Sequence, residues 1–296
     1  MTTHLYQYLA DNLNSVPDAV PQAFVQQLKQ QYGDSLYAIV FYGSCLRSRE
    51  YDDAMLDFYV IVRDYKSAYR SIWPRIANRL LAPNVYCLNV RHQGKDYLAK
   101  YAVISQRGLE VAVSKHAFHS YFWARFCQPI GYVFVVDAQA KDFLARTQAS
   151  AITTFVNKVG PMTSLTMSPY MFWIRGFELT YAAELRAERK SRAHTIVEYN
   201  RDFYQHISMS TSIPAIAQSQ PLAGQVWQLR IIVGKLLSIL RLLKAATTFT
   251  NGVDYIAWKI HRHTGQQLEV TPRLRKYPWL FAWPILFKLM LKRTIK

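Results

Sequence analysis

The chain has 296 residues, of which 51% are hydrophobic, so it can bury a sizeable core and is not a disordered chain. Lysine and arginine number 36 against 19 aspartate and glutamate, which gives a net charge of +17. Such a charge implies an anionic partner, such as a nucleic acid, acidic lipid headgroups or a nucleotide, without choosing among them.

The cysteines and the first basic residues indicate the compartment. Cys45, Cys87 and Cys127 show no spacing typical of a zinc site, which favours free thiols under reducing conditions. The first lysine is Lys29 and the first arginine is Arg47, so the start resembles neither a signal peptide nor a transit peptide. We therefore expect a cytoplasmic protein without a metal-thiolate site.

The first part of the chain mixes helical and strand patterns. Residues 1–32 are helical in pattern, with Leu5, Leu9 and Leu13 on one face, and a second helical stretch lies around 66–81. Four segments have the pattern of strands: 36–43, 56–62, 84–91 and 97–105. This order predicts an α/β core over residues 1–137.

From about residue 138 the pattern is mainly helical, and we assign residues 138–250 to a helical domain. Within it, residues 225–245 are apolar nearly all round. Four cations interrupt this segment: Arg230, Lys235, Arg241 and Lys244. That many charges argues against a bilayer span, so we expect a buried or interfacial helix.

The last segment, 251–296, is predicted to be a basic amphipathic region that associates with membranes. Its aromatic residues are Trp279, Phe281, Trp283 and Phe287. The cations on either side of them include Arg275, Lys276, Lys288 and Lys292. This composition is typical of an interfacial anchor, and an apolar run broken by Pro278 and Pro284 is too short to cross a bilayer. The alternative is a helix that completes the core or contacts another subunit.

The segment FYGSCLRSREYDDAMLDFYVIV, residues 41–62, contains the main candidate site. A Gly-Ser turn after a strand, followed by an acid on the next strand, is the pattern of the nucleotidyltransferase fold. In that interpretation Gly43 lets the backbone approach a triphosphate, Ser44 binds phosphate oxygens and Asp57 holds Mg²⁺. The common form of this fold has a second acid two residues further on, where this chain has Tyr59.

The sequences of several segments resemble those of the mitochondrial phosphatidate cytidylyltransferases of the translocator assembly and maintenance family. YGSCLRS followed by AMLDFYVIV is similar to that family's YGSG segment and MLDF strand, which also lack the second acid. LAKYAVIS (98–105) is similar to its IKYGVIS segment, and SYFWARFCQP (120–129) to LYIAGRLQKP. The match of ELTYAAELRAE (178–188) is looser. Cys45, Ala102 and Ala124 stand where the family has glycine.

The resemblance implies transfer of a cytidylyl group from CTP to phosphatidate, with Mg²⁺ as cofactor and pyrophosphate as leaving group. It implies that Asp57 binds the metal, that Lys100 acts in catalysis, and that Gly43, Ser44, Lys100 and Arg125 bind the nucleotide. The attacking phosphate is already largely anionic near neutral pH, so no dedicated general base is required. The expected partners are CTP, phosphatidate and an anionic membrane surface, without nucleic acid, at the cytoplasmic face of a bacterial inner membrane.

Several assignments stay open. Asp96 and Glu110 are candidates for a further metal ligand, and Arg47 and Arg49 for a further phosphate contact. One alternative function is a nucleotidyltransferase that acts on RNA or protein, for which the positive charge would serve as a binding face. Another is a lipid-binding relative without catalytic activity.

Overall fold

The computed structural model describes residues 3–164, 166–184, 191–211, 222–248 and Thr271. The predicted membrane-associating residues from Arg275 to Lys292 lie outside this part of the chain. Their association with a membrane therefore stays a prediction.

The described chain folds into a mixed five-stranded sheet with helices on both faces. The strands are β1 Leu36–Tyr42, β2 Met55–Val62, β3 Asn84–His92, β4 Lys95–Ser105 and β5 Gly131–Val135. The helices are α1 Thr3–Asn12, α2 Ala19–Tyr32, α3 Ser44–Ser48, α4 Tyr65–Ala68, α5 Ile72–Leu80, α6 Gln106–Val113, α7 Trp123–Phe126, α8 Ala138–Val159, α9 Pro169–Ala182, α10 Ser191–Tyr199, α11 Arg201–Met209 and α12 Ala223–Thr248.

The sheet order is β3-β4-β2-β1-β5, and β2 pairs with β4 in parallel while the other neighbours are antiparallel. The four strands predicted from the sequence are confirmed. Strand β5 was not predicted, and it forms the edge next to β1. The coarse expectation of an α/β core followed by helices is therefore confirmed.

Two of the predicted helical stretches are interrupted. The first divides into α1 and α2 because residues 14–16 extend alongside β5, where the Val16 amide donates to the Tyr132 carbonyl at 2.8 Å. The stretch around 66–81 divides into α4 and α5 because Tyr69 is extended, with φ −126° and ψ 130°. Its ring is buried against the sheet. In both places, a local tertiary contact replaces a turn of helix.

Successive side chains of each strand point to opposite faces of the sheet, so each face carries its own hydrophobic core. On one face, α2 contributes Phe24 and Leu28, which pack in the cluster that contains Phe58. On the other face, α1 and α8 pack in the cluster that contains Tyr59 and Ala102. The face with Tyr59 is also the face of the candidate site, because Asp57 precedes Tyr59 by two residues on β2.

The later helices pack against α8 and against one another. Trp173 of α9 stacks on Phe155 of α8 with ring centroids 5.0 Å apart. Helix α12 lies beside β3, and it buries Trp227 and Arg241 while leaving Ile232 exposed. Among the described residues, no helix is both long enough and apolar enough to cross a membrane.

Candidate functional site

The centre of the candidate site is an ion pair between adjacent parallel strands. Asp57 of β2 lies opposite Lys100 of β4 in the register, and Lys100 Nζ lies 2.7 Å from Asp57 Oδ1. The side chains are 25% and 27% exposed, respectively. Two residues selected separately from the sequence therefore form one partly solvated pair.

Gly43 and Ser44 lie directly beside this pair. Gly43 follows β1 with φ 91° and ψ −159°, a conformation that residues with a Cβ rarely adopt. A Cβ on Gly43 would also lie 3.1 Å from Asp57 Oδ2. The glycine therefore allows both the turn and the close approach of the backbone to the carboxylate, while Ser44 begins α3.

Two stacked tyrosines lie next to Asp57 on the sheet. Tyr42 is the cross-strand partner of Asp57, and its ring stacks on Tyr59 at a centroid distance of 4.7 Å. Burial, followed by the nearby carboxylate of Asp57, raises the pKa of Tyr42 well above its ordinary value. The position of the second acid is thus filled by a buried neutral phenol, Tyr59, whose pKa burial also raises.

Arg125 forms a second ion pair, which is more deeply buried. Its guanidinium makes two hydrogen bonds to the Glu184 carboxylate, at 2.8 and 2.7 Å, and lies 3.9 Å from the centre of the Tyr121 ring. Burial alone would lower the pKa of Arg125, but Glu184, the largest opposing influence, holds it well above its usual range. Arg125 of α7 is therefore permanently charged, and its contact with Glu184 fixes it to the segment that follows α9.

The two ion pairs are linked electrostatically through Tyr42. Asp57 raises the pKa of this phenol, and Arg125 lowers it. No direct contact between Asp57 and Arg125 is found among the described residues. The structure thus brings Gly43, Ser44, Asp57 and Lys100 together and places Arg125 near enough to Tyr42 and Tyr59 to lower the pKa of both.

Sequence reasoning did not identify a group of buried basic side chains near Arg125. Arg241 of α12 lies 4.2 Å from the centre of the same Tyr121 ring, and its Nε donates to the Ala82 carbonyl at 2.8 Å. Burial and Arg241 lower the pKa of Lys244 to about 7 and that of His119 to about 4. The four cations within an apolar helix were the sequence signal that could have found this group.

The remaining candidates lie elsewhere. Arg49 forms an ion pair with Asp18 at 2.9 Å, and burial lowers the pKa of Arg47. Asp96 and Glu110 are exposed, and neither contacts the Asp57 carboxylate. The structure therefore does not bring these four residues to the central pair.

Asp57 offers a metal one carboxylate, which fits an ion that is also bound by the phosphates of its substrate. In the part of the chain that the structure describes, no group of three or more His, Cys, Asp or Glu side chains is arranged to hold a metal. Mg²⁺ is often bound by one or two carboxylates together with substrate phosphates and water. The single Asp57 carboxylate beside the Gly43 turn matches that mode of binding and not an all-protein cage.

Comparisons of the chain with models of known protein families and with curated proteins found no match. The structure itself establishes a mixed α/β sheet with helices on both faces.

Proposed function

We propose that this protein is an Mg²⁺-dependent nucleotidyltransferase that transfers a cytidylyl group from CTP to phosphatidate and releases pyrophosphate. The observation that carries the proposal is the Asp57–Lys100 pair, 2.7 Å apart and beside a glycine turn of positive φ. This arrangement provides a carboxylate for the metal and an ammonium for a phosphate, beside a turn whose backbone carries no side chain.

Each residue of the central group has a defined task in this proposal. Asp57 would hold Mg²⁺, and the metal would supply positive charge to offset the negative charge that develops on the leaving pyrophosphate. Gly43 leaves room for the triphosphate, and the Ser44 hydroxyl and nearby amides donate to its oxygens. Lys100 is a flexible ammonium that can follow a phosphate oxygen, whereas the bidentate contact with Glu184 keeps Arg125 fixed.

The acceptor and the location rest on other arguments. A phosphate monoester supplies its own anionic oxygen, which agrees with a site that has one central carboxylate and needs no base. The choice of cytidine and phosphatidate comes from the sequence resemblance. The basic aromatic tail supports a peripheral protein at an anionic membrane, which we place at the cytoplasmic face of a bacterial inner membrane.

The test is incubation of the purified chain with CTP labelled in the α-phosphate, Mg²⁺ and phosphatidate in mixed micelles, followed by lipid extraction. We expect the label in the organic phase and its loss in the Asp57→Asn variant. A parallel reaction with RNA as acceptor tests the alternative substrate class. Label in the RNA, with none in the lipid, would contradict the proposal.

A further inference from the structure

Helix α5 presents an apolar face to solvent. Four of its nine residues are large apolar side chains with high exposure: Ile72 59%, Trp73 75%, Ile76 41% and Leu80 80%. Ile72, Ile76 and Leu80 follow one another at intervals of four residues, so they lie along one side of the helix, with Trp73 next to them. Exposed apolar residues that cluster in this way mark an interaction surface, whereas scattered ones do not.

The apolar face is held outward by contacts on the opposite side of α5. The buried Asn78 side chain donates to the Val103 carbonyl at 2.9 Å and accepts from the Asn84 amide at 2.7 Å. Arg75 Nε donates to the Tyr69 carbonyl at 2.8 Å. Because these bonds hold the inner side of α5 in place, the apolar side of the helix cannot turn inward without breaking them.

The charged residues of α5 and of the segment just before it are basic, and the nearest acid in the sequence is Asp64, which caps α4. Residues 65–81 contain no aspartate or glutamate, and Lys66, Arg70 and Arg79 are exposed. Beyond the end of α5, Lys244 of α12 donates to the Leu81 carbonyl. Helix α12 is also free of acidic residues, and its exposed apolar side chains include Leu229, Ile232, Leu236 and Leu240.

We propose that the exposed face of α5, formed by Ile72, Trp73, Ile76 and Leu80, is a docking surface for an anionic lipid bilayer. The apolar side chains enter the boundary between headgroups and acyl chains, and the neighbouring cations contact lipid phosphates. A helix with tryptophan on its apolar face and arginine as its only charged residue type has the chemistry of this boundary. The inference rests on the proposed function only in assuming that the substrate lies in a membrane.

A protein partner or a second copy fits this surface less well. A second copy would present the same cations, and like charges that face each other across an interface oppose association. A bilayer that contains anionic lipids supplies a continuous apolar layer with negative charge at its edge. This combination complements both features of α5.

The first test places a polarity-sensitive fluorophore on α5. Leu80→Cys and Trp73→Cys are labelled separately in a Cys87→Ser background, because Cys45 and Cys127 are buried. Val111→Cys is the control, since Val111 is 62% exposed on α6 next to Glu110. With vesicles of phosphatidylcholine and phosphatidylglycerol, we expect a blue shift at positions 73 and 80 and none at 111. Emission that stays characteristic of water at position 73 or 80 overturns the proposal.

The second test measures partition of the unlabelled full chain onto the same vesicles without CTP. Trp73→Gln combined with Leu80→Gln should lower the partition coefficient about tenfold or more, because two large apolar side chains no longer enter the interface. Val111→Gln should leave it unchanged. Partition of the double variant equal to that of the original chain overturns the proposal, as does a lipid-free dimer that the double substitution dissociates.

These results are separable from the proposed reaction. Vesicle binding that depends on α5, without any transfer of label to phosphatidate, would support the docking surface and contradict the cytidylyltransferase. Transfer to vesicle-borne phosphatidate at an equal rate in the double variant would contradict the docking surface and leave the reaction standing.

Discussion

Two of the ion pairs in the described part of the chain, Asp57–Lys100 and Arg125–Glu184, differ in solvation. Asp57 and Lys100 are each about a quarter exposed and meet through one Nζ–Oδ1 contact. Arg125 and Glu184 are 13% and 6% exposed, and they meet through two parallel hydrogen bonds. The first pair leaves about a quarter of each side chain open to solvent, although the Asp57 Oδ1 atom itself is buried, whereas the second cannot separate without leaving a buried charge.

This difference assigns the two pairs different roles. A partly exposed pair is suited to binding a metal and phosphates, because each side chain keeps some surface that a ligand can reach. A buried bidentate pair joins α7 to the chain after α9 and holds the surrounding tyrosines in place. We therefore expect substitutions at the first pair to affect turnover and those at the second to affect stability.

The largest effect is expected for Asp57→Asn on catalysis. The amide is nearly isosteric but lacks the charge that binds Mg²⁺, so turnover should be abolished while the melting temperature stays close to that of the original chain. Activity measured at saturating Mg²⁺ and thermal unfolding together check this expectation. Retention of a third of the activity would remove Asp57 from the metal site.

Glu184→Gln should produce the largest loss of stability. It removes the charge opposite the buried Arg125 guanidinium, so the free energy of unfolding should fall by about 3–5 kcal/mol. Denaturant titration measures the change. Arg125→Met combined with Glu184→Leu is the control, and it should recover part of the loss because no unpaired charge remains. A loss below about 1 kcal/mol for Glu184→Gln would show that this pair is not a structural element.

Lys100→Ala should lower activity with little loss of stability. Loss of a phosphate partner should lower kcat/KM by an amount equivalent to about 2–4 kcal/mol. The free energy of unfolding should change by less than about 1 kcal/mol, because the pair is partly solvated. Lys100→Arg should restore only part of the activity, because the planar guanidinium differs from an ammonium in reach and geometry. Steady-state kinetics with an unchanged kcat/KM would place Lys100 outside the site.

Gly43→Ala tests the turn beside the first pair. The positive φ should cost about 1–3 kcal/mol in the free energy of unfolding, and the methyl group near Asp57 Oδ2 should also reduce activity. Gly94→Ala is the matched control, because Gly94 has φ 80° and no neighbouring atom within 4 Å of the added Cβ. The control should lose stability and keep its activity. Equal activity in both variants would contradict a site at Gly43.

The smallest effect concerns pH and the buried region around Arg241. Burial and Arg241 lower the pKa of His119 to about 4, compared with 6.5 when unperturbed. The unfolded chain therefore takes up this proton before the folded chain does, and stability is lost as pH falls from 6.5 to 4. His119→Gln should reduce that loss by about 1–2 kcal/mol in acid unfolding curves.

The sequence by itself determined four of the five strands and the local form of the site. Runs such as LYAIVFYG are apolar enough to be buried, and their alternation fixes which residues share a face. A glycine after one strand and an acid within the next predicted that Gly43 and Asp57 belong to one site, and the two residues lie side by side. These features depend on neighbours along the chain, which is why pattern alone was sufficient.

Only the tertiary structure decided which distant residues meet. The parallel register of β2 and β4 places Lys100 against Asp57, and the packing of α7 near the end of α9 joins Arg125 to Glu184 across 59 residues. Pattern also could not show that α5 keeps its apolar side in solvent, because hydrophobicity marks what can be buried and not what is. Contacts across the chain depend on how whole elements pack, and that information is not local.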